Sequence, residues 1–138
     1  MSDLDLARRA VACPRWRWMP RMVDQLGRTV LAVRDGMCLC AWWTGPAGAE
    51  QPASGWVRFE QMGAPDFDDP ATVGCVLALV REVWNKPTAY VRRCGQRWGD
   101  AARLWGVYGL DEHLHELADK TVTTSEAAAL VAALESAP

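Results

Sequence analysis

Two short pairs of cysteines and histidines are the residues most able to do chemistry in this sequence. One residue separates Cys38 from Cys40, and one residue separates His113 from His115. On strands, each pair would point to one face, and four such ligands could form a tetrahedral zinc site. However, C-x-C is not the usual zinc-knuckle spacing, and a helix over 110–119 would separate the histidines. We therefore expect core cysteines and surface histidines, with no metal and no other cofactor.

The other catalytic groups are isolated along the chain. The sequence contains no Walker A phosphate loop, no strand-linked GxGxxG and no G-x-S-x-G nucleophile elbow. Asp66, Asp68 and Asp69 could hold a divalent cation, but they lack EF-hand spacing and suit helix capping and a solvated loop. Cys75 lies inside an apolar helical pattern and is expected to be a small core residue. We predict that the protein is not an enzyme and has no catalytic residue.

The eight tryptophans carry more information than the candidate catalytic groups. In the segment 14–22, PRWRWMPRM, an extended chain would place Trp16 and Trp18 on one face and the arginines on the other. Interleaved Trp and Arg is typical of protein interaction hot spots and of platforms for single-stranded nucleic acid. Alternatively, the rings cover a sheet and the arginine stems pack over them. Trp42 and Trp43 are adjacent on a predicted strand and point to opposite faces, so one of them can be exposed.

The charge is small overall but uneven. With 15 basic and 17 acidic residues, the net charge of −2 excludes a global positive field that would attract nucleic acid. Residues 8–34 nevertheless contain seven arginines against Asp24, and residues 92–103 contain four against Asp100. We predict a partner-binding set drawn from these stretches and one strand tryptophan: Arg15, Trp16, Arg17, Trp18, Arg21, Trp43, Arg92, Arg93 and Arg97.

The composition indicates one globular domain over residues 1–138. Half of the residues are hydrophobic and 23% are charged, which excludes a disordered or fibrous class. The five cysteines cannot all pair within one chain, and no apolar run is long enough for a membrane span. The N-terminal sequence lacks a signal-peptide pattern. We therefore expect a cytoplasmic protein with reduced thiols and no membrane contact.

Hydrophobic periodicity and turn signals define the expected elements of the first half. Leu4, Ala7 and Val11 predict an amphipathic helix over 3–13, which Pro14 ends. The pair Asp35-Gly36 between two apolar runs is a strong hairpin signal. The remaining assignments are strands at about 28–34 and 37–43, a loop at 44–55, and a short strand at 56–59.

The second half begins with the strongest helical pattern. Asp69 is a good N-cap and Pro70 suits the first helical position, so a core helix is predicted over 70–85. Further along the chain, strands are predicted at 88–94 and 102–108, although a helix could instead start within 99–105. Residues 110–119 fit either a helix or a strand. The last element is an amphipathic helix at 124–136, with Thr123 and Glu126 as a capping box. This order favours an α+β fold with a mostly antiparallel sheet and two or three packed helices.

Three stretches carry a resemblance to known proteins. They are CPRWRWMPRM at 13–22, DPATVGCVLALVREVW at 69–84 and SEAAALVAALE at 125–135. These stretches resemble a group of small uncharacterised proteins from tailed phages and prophages of high-GC bacteria. The resemblance implies an intracellular protein made during infection or lysogeny, and it assigns no activity to any residue.

Two functions of different classes follow from these patterns. The first is a non-enzymatic phage accessory protein that binds a host protein or protein complex in the host cytoplasm. The most specific form of this hypothesis is an anti-CRISPR or other anti-defence inhibitor. The second is a nucleic-acid-binding accessory protein that uses Arg15, Arg17, Arg21, Arg92, Arg93 and Arg97. A metal-dependent enzyme is a distant third.

Overall fold

Helices and antiparallel strands alternate in segments along the chain, as expected for the α+β class. The structure is a computed structural model that describes residues 2–93, 104–110, 123 and 125–138. The elements, in chain order, are α1 (Asp3–Ala12), β1 (Thr29–Arg34), β2 (Met37–Thr44), β3 (Gln51–Arg58), a 3-10 turn (Phe59–Gln61), α2 (Pro70–Val83), β4 (Tyr90–Arg93), β5 (Trp105–Tyr108) and α3 (Glu126–Glu135). The α+β class is confirmed. The helix-or-strand choice at 110–119 and the helical alternative starting within 99–105 fall largely outside the described residues.

The chain divides into two compact units. The first, here called the sheet unit, is Arg17–Cys75. The second, here called the helical unit, combines Met1–Trp16 with Val76–Pro138, and the boundary falls within α2. The single domain expected over residues 1–138 stays a prediction. Within the described ranges, no helix combines the length and apolar character needed to cross a bilayer.

The sheet unit contains a three-stranded antiparallel sheet in the order β1-β2-β3. Asp35 and Gly36 connect β1 to β2 with φ values of 49° and 78°. Two consecutive left-handed residues are the signature of a type I′ turn, whose twist matches that of the flanking strands. Glycine tolerates this conformation without cost, and aspartate adopts it more readily than most residues. The predicted hairpin is therefore confirmed.

The third strand is longer than the sequence indicated. β3 begins at Gln51, so the loop predicted at 44–55 is wrong for its last five residues. Pro52 pairs with Trp43, and Gly55 pairs with Cys40. Proline is tolerated because β3 is an edge strand, where one side of the backbone needs no ladder partner. Pairing along the full length of β2 overrides the low strand propensity of these small residues.

A buried carboxylate joins the loop before β1 to the segment after β3. The side chain of Asp24 is fully buried and accepts from the backbone N–H groups of Leu26 at 3.1 Å, Arg28 at 3.0 Å and Gly63 at 2.9 Å. The Arg28 guanidinium also donates to it, from Nε at 2.9 Å, and donates to the Gln61 carbonyl at 2.7 Å. A Cβ on Gly63 would lie 3.2 Å from the Asp24 carboxylate, which explains the glycine at this close approach.

Helix α2 has a complete set of local end signals. Asp69 accepts from the backbone N–H and the hydroxyl of Thr72, both at 2.8 Å, which confirms the predicted N-cap. At the other end, Asn85 has a φ of 51°, and Lys86 N–H donates to the Arg81 carbonyl at 2.9 Å. This left-handed residue with a 6→1 hydrogen bond is a Schellman motif.

In the helical unit, α1 and β5 pack against α3. Six of the ten residues of α3 are buried: Ala127, Ala129, Leu130, Val131, Ala133 and Leu134. The amphipathic helix predicted here is instead buried on most sides. Its N-cap is Ser125, which accepts from Ala128 N–H at 3.0 Å. The predicted cap, Thr123, instead forms a backbone bridge with Trp105. The local sequence does not reveal this pairing, because Trp105 is distant from Thr123 along the chain.

Helix α1 begins at the predicted position but buries a shifted face. Ser2 and Asp5 form a capping box at its start. The buried residues are Leu6, Ala7 and Ala10, whereas Leu4 and Val11 are exposed. The predicted stripe was therefore wrong at two of its three positions. The small alanine side chains allow α1 to lie close to α3, and Arg9 pairs with Glu135 at the end of that helix.

We predict that Asp24→Ala destabilises the protein by about 3–5 kcal/mol, because it leaves Arg28 and Gly63 N–H without their buried acceptor. The measurement is the free energy of unfolding from urea titration. The matched control is Asp68→Ala, which removes an exposed carboxylate and should change that free energy by less than about 0.5 kcal/mol. A loss below about 1 kcal/mol for Asp24→Ala would contradict the role assigned to this side chain.

Candidate interaction surfaces

One face of the three-stranded sheet carries an exposed combination of tryptophan and arginine. The strand register places its side chains in rows that run across the strands. These rows are Arg34–Met37–Arg58, Ala32–Leu39–Trp56, Ala41–Ser54 and Trp43–Pro52. Directly paired residues point to the same side of a sheet. We call this side the outer sheet face. The opposite side holds the buried residues Val30, Cys38, Cys40 and Val57.

The two tryptophans of the outer sheet face are its most exposed rings. Trp43 is 70% exposed and Trp56 is 44% exposed. The guanidinium carbon of Arg34 lies 5.4 Å from the centre of the Trp56 ring. This distance is within the range of a cation–π contact, which restrains the arginine over the ring and does not use its hydrogen-bond donors. The face therefore offers large apolar rings and charged donors on a rigid sheet.

A second aromatic and basic cluster lies on the two-stranded sheet of the helical unit. Tyr90 pairs with Tyr108, and their rings stack with centres 5.7 Å apart. Arg92 lies over both rings, 5.9 Å from the centre of Tyr90 and 4.7 Å from that of Tyr108. On the other side of the sheet, Arg93 lies 5.3 Å from the Trp105 ring. The predicted residues Arg92 and Arg93 are thus exposed and ordered by ring contacts.

The Trp/Arg segment at 14–22 is only partly a surface. Trp18 is 4% exposed, so its ring is part of the buried core and not of a partner-binding surface. Trp16 is half-buried, and it does not share an exposed face with Trp18 as the alternation predicted. Arg15 donates to the carbonyl of Pro138. The inclusion of Trp18 in the partner-binding set is therefore wrong, and its ring follows the core alternative instead. The segment is irregular, so strand alternation does not decide which of its rings are exposed.

Three further predicted residues have separate outcomes. Arg17 is exposed. Arg21 is exposed and adopts a φ of 82°, and it lines a shallow groove of the sheet unit with Leu31 and Asp69. Arg97 lies outside the described residues. The structure thus leaves six predicted residues on the surface: Trp43, Arg17 and Arg21 in the sheet unit, and Arg15, Arg92 and Arg93 in the helical unit.

The predicted binding set contains one, Trp43, of the four tryptophans and arginines on the outer sheet face. The other three, Arg34, Trp56 and Arg58, lie in segments predicted as strands but are not in that set. The available signal was the period-two alternation of Trp56 and Arg58 around Val57, which is buried. Their juxtaposition with Arg34 depends on the register of both strand pairs, and the sequence does not determine that register on its own.

The C-x-C pair is a buried part of the core. Cys38 and Cys40 share one face of β2, as predicted, and both are fully buried. Burial raises the pKa of the Cys38 thiol to about 11, and the neighbouring Cys40 adds to this rise. Cys40 Sγ lies 3.7 Å from the thioether sulfur of Met62. Within the described ranges, no cluster of three or more His, Cys, Asp and Glu side chains could hold a metal ion. His113 and His115 lie outside those ranges.

We predict opposite effects for two tryptophans. Trp18→Ala should lower the free energy of unfolding by about 3–5 kcal/mol, because it removes a large buried ring. Trp43→Ala should change it by less than about 0.5 kcal/mol, because its ring is mostly exposed. Chemical denaturation followed by far-UV circular dichroism measures both. Equal effects of the two substitutions would contradict the assignment of Trp18 to the core and Trp43 to the surface.

We also predict an alkaline loss of stability that depends on Cys38. Burial in the folded state disfavours the thiolate and raises the pKa of the Cys38 thiol above its ordinary value of 9.0. The neutral thiol is therefore fully compatible with the folded state below pH 9, and no stability is lost to its ionisation there. Between pH 9 and 11 the unfolded thiol ionises first, and stability falls by roughly 2–3 kcal/mol. Cys38→Ala should lose less stability over this interval than the unsubstituted protein, as measured by urea unfolding at each pH. Parallel pH profiles for the two proteins would refute this.

No protein-family model, curated protein or solved structure matches the chain. The resemblance of 13–22, 69–84 and 125–135 to phage and prophage proteins therefore stays a prediction.

Proposed function

We propose that this protein is a non-enzymatic binding protein that engages a partner protein through the outer sheet face. The observation that carries the proposal is the exposure of Trp43 and Trp56 on one face of a sheet, together with the position of the Arg34 guanidinium over the Trp56 ring. Tryptophan and arginine are the residues most enriched among interaction hot spots. A partner that covers these rings removes large apolar areas from water and gains directed hydrogen bonds from the guanidinium.

The rigidity of the face supports binding more than catalysis. The rows of the outer sheet face are fixed by backbone pairing on both sides of β2, so little side-chain or loop ordering is needed when a partner binds. The buried thiols Cys38 and Cys40 point away from this face. Burial also raises the pKa of Cys40. A neutral thiol is a poor nucleophile, so these cysteines fit a packing role.

The biological setting of the proposal comes from the resemblance to phage and prophage proteins. In that setting, the partner is a bacterial host protein or protein complex, and an anti-CRISPR or other anti-defence role is one form that the binding could take. This part of the proposal rests on an association between protein groups and not on the geometry of a site.

Nucleic-acid binding is the second candidate function. Arg92 over the stacked rings of Tyr90 and Tyr108 favours it, because stacked aromatic rings and arginines bind single-stranded nucleic acid without sequence preference. The net charge of −2 argues against it as the main function, because non-specific affinity for nucleic acid depends on many phosphate contacts.

The test of the proposed function is a tagged pull-down from bacterial lysate with the double variant Trp43→Ala/Trp56→Ala. We expect the unsubstituted protein to retain a stoichiometric partner after nuclease treatment. The double variant should recover at least about tenfold less of that partner, since truncation of a hot-spot residue costs about 2 kcal/mol or more of binding free energy. Quantitative mass spectrometry measures the recovery. Circular dichroism and thermal unfolding of the variant show whether its fold is retained.

The matched control for the pull-down is Leu26→Ala, which removes an exposed apolar side chain of the sheet unit that lies outside the outer sheet face. It should recover the partner like the unsubstituted protein. Recovery that disappears with nuclease would favour the nucleic-acid function. Equal recovery by the unsubstituted protein and a folded double variant would exclude the outer sheet face as the binding surface.

A further inference from the structure

We propose that the outer sheet face binds an extended acidic segment of the partner protein, with carboxylates on Arg34 and Arg58 and apolar side chains against Trp56 and Trp43. This inference rests on the proposed function and specifies the chemistry of the partner. The observations behind it are the charge of the face, the availability of its two guanidinium groups and the spacing of its rows.

The paired rows of the outer sheet face contain two arginines and no acidic residue. The acidic residues nearest to them in sequence are Asp35, in the turn between β1 and β2, and Glu60, in the 3-10 turn after β3. Both lie outside the paired rows. The paired rows themselves therefore carry only positive charge in a chain whose net charge is −2, and a segment with carboxylates complements them better than a neutral or basic one.

Both arginines have donors available to a partner. In the described part of the chain, Arg34 makes a ring contact with Trp56 and has no ion pair, and Arg58 has no side-chain hydrogen bond or ion pair. The two arginines flank Met37 in one row, so two strand spacings, or roughly 10 Å, separate their backbones. Guanidinium groups match the planar geometry of carboxylates and form the stronger, charge-assisted class of hydrogen bond with them.

The rows suit an extended segment more than a helix. Alternate residues of a strand are about 6.8 Å apart, so the arginine row and the Trp56 row are separated by this distance, and Trp43 lies about 20 Å from the arginine row. An extended segment presents alternate side chains to one face with the same spacing. About seven residues can therefore place an acidic side chain on the arginine row and an apolar one on each tryptophan.

The experiment uses three fluorescein-labelled eight-residue peptides. The acidic peptide is Asp-Asp-Leu-Leu-Asp-Asp-Leu-Leu, whose extended form alternates carboxylate and leucine on each face. In the other two, asparagine or lysine replaces aspartate. Fluorescence anisotropy with the full chain should give at least roughly tenfold tighter binding of the acidic peptide than of the asparagine peptide, with binding that weakens as salt increases.

Variants locate the interaction on the outer sheet face. Arg34→Gln/Arg58→Gln should remove the preference for the acidic peptide, and Trp43→Ala/Trp56→Ala should weaken binding of the acidic and asparagine peptides together. The control Arg8→Gln changes an exposed arginine of α1 and should bind like the unsubstituted protein. Each variant must retain the unsubstituted circular dichroism spectrum.

Several results would overturn the acidic-segment inference. These are failure of all three peptides to bind, equal binding of the acidic and asparagine peptides, or an acidic preference that persists in Arg34→Gln/Arg58→Gln. Preferential binding of oligo(dT) over the acidic peptide would also overturn it and would favour a nucleic-acid ligand. The pull-down judges the proposed function separately: recovery that depends on the tryptophans but persists in Arg34→Gln/Arg58→Gln keeps the binding function and removes only its acidic partner.

Discussion

The buried carboxylate of Asp24 is the interaction on which the sheet unit depends. An unpaired charge in a protein interior is very costly, so the chain must hold backbone and guanidinium donors around this group. Those donors belong to the loop before β1 and to the segment after β3. Met62, in the segment after β3, contacts Cys40 on the buried face of the sheet. The hydrogen bonds to Asp24 therefore help to hold that segment against this face. The opposite face is the one that presents Trp43 and Trp56.

Arginine paired with an aromatic ring recurs on both sheets. Arg34 lies over Trp56 in the sheet unit, while Arg92 lies over Tyr90 and Tyr108 in the helical unit. Such a contact restrains a long side chain without using its hydrogen-bond donors, which lowers the entropy lost when a ligand binds. The two surfaces differ in their apolar content. Only the outer sheet face, among the surfaces described, combines exposed tryptophans with its arginines, and this favours a protein ligand there.

The tryptophans show that one residue type serves opposite purposes in this chain. Trp18 is buried, Trp84 donates from its indole to the Ala133 carbonyl at 2.8 Å, and Trp43 is mostly exposed. Trp18 and Trp84 stabilise the fold, whereas the structure shows no packing contact within the described residues that would give Trp43 such a role. A large ring that remains in water without a packing role is the kind of residue that binding explains. The sequence alone is therefore compatible with both a core and an interface role for these tryptophans, and their burial shows which role each one has.

The sequence by itself determined the features that are set by neighbours along the chain. The Asp35-Gly36 turn, the Asp69 cap of α2 and the strand at 90–93 follow from local backbone preferences, so they could be predicted. Tertiary structure decided the start of β3, the burial of Trp18, the choice of Ser125 over Thr123 as a cap, and the meeting of Arg34 with Trp56. Each of these depends on pairing or packing with residues distant in sequence, whose free energy exceeds local propensity and leaves no periodic signal in the segment itself.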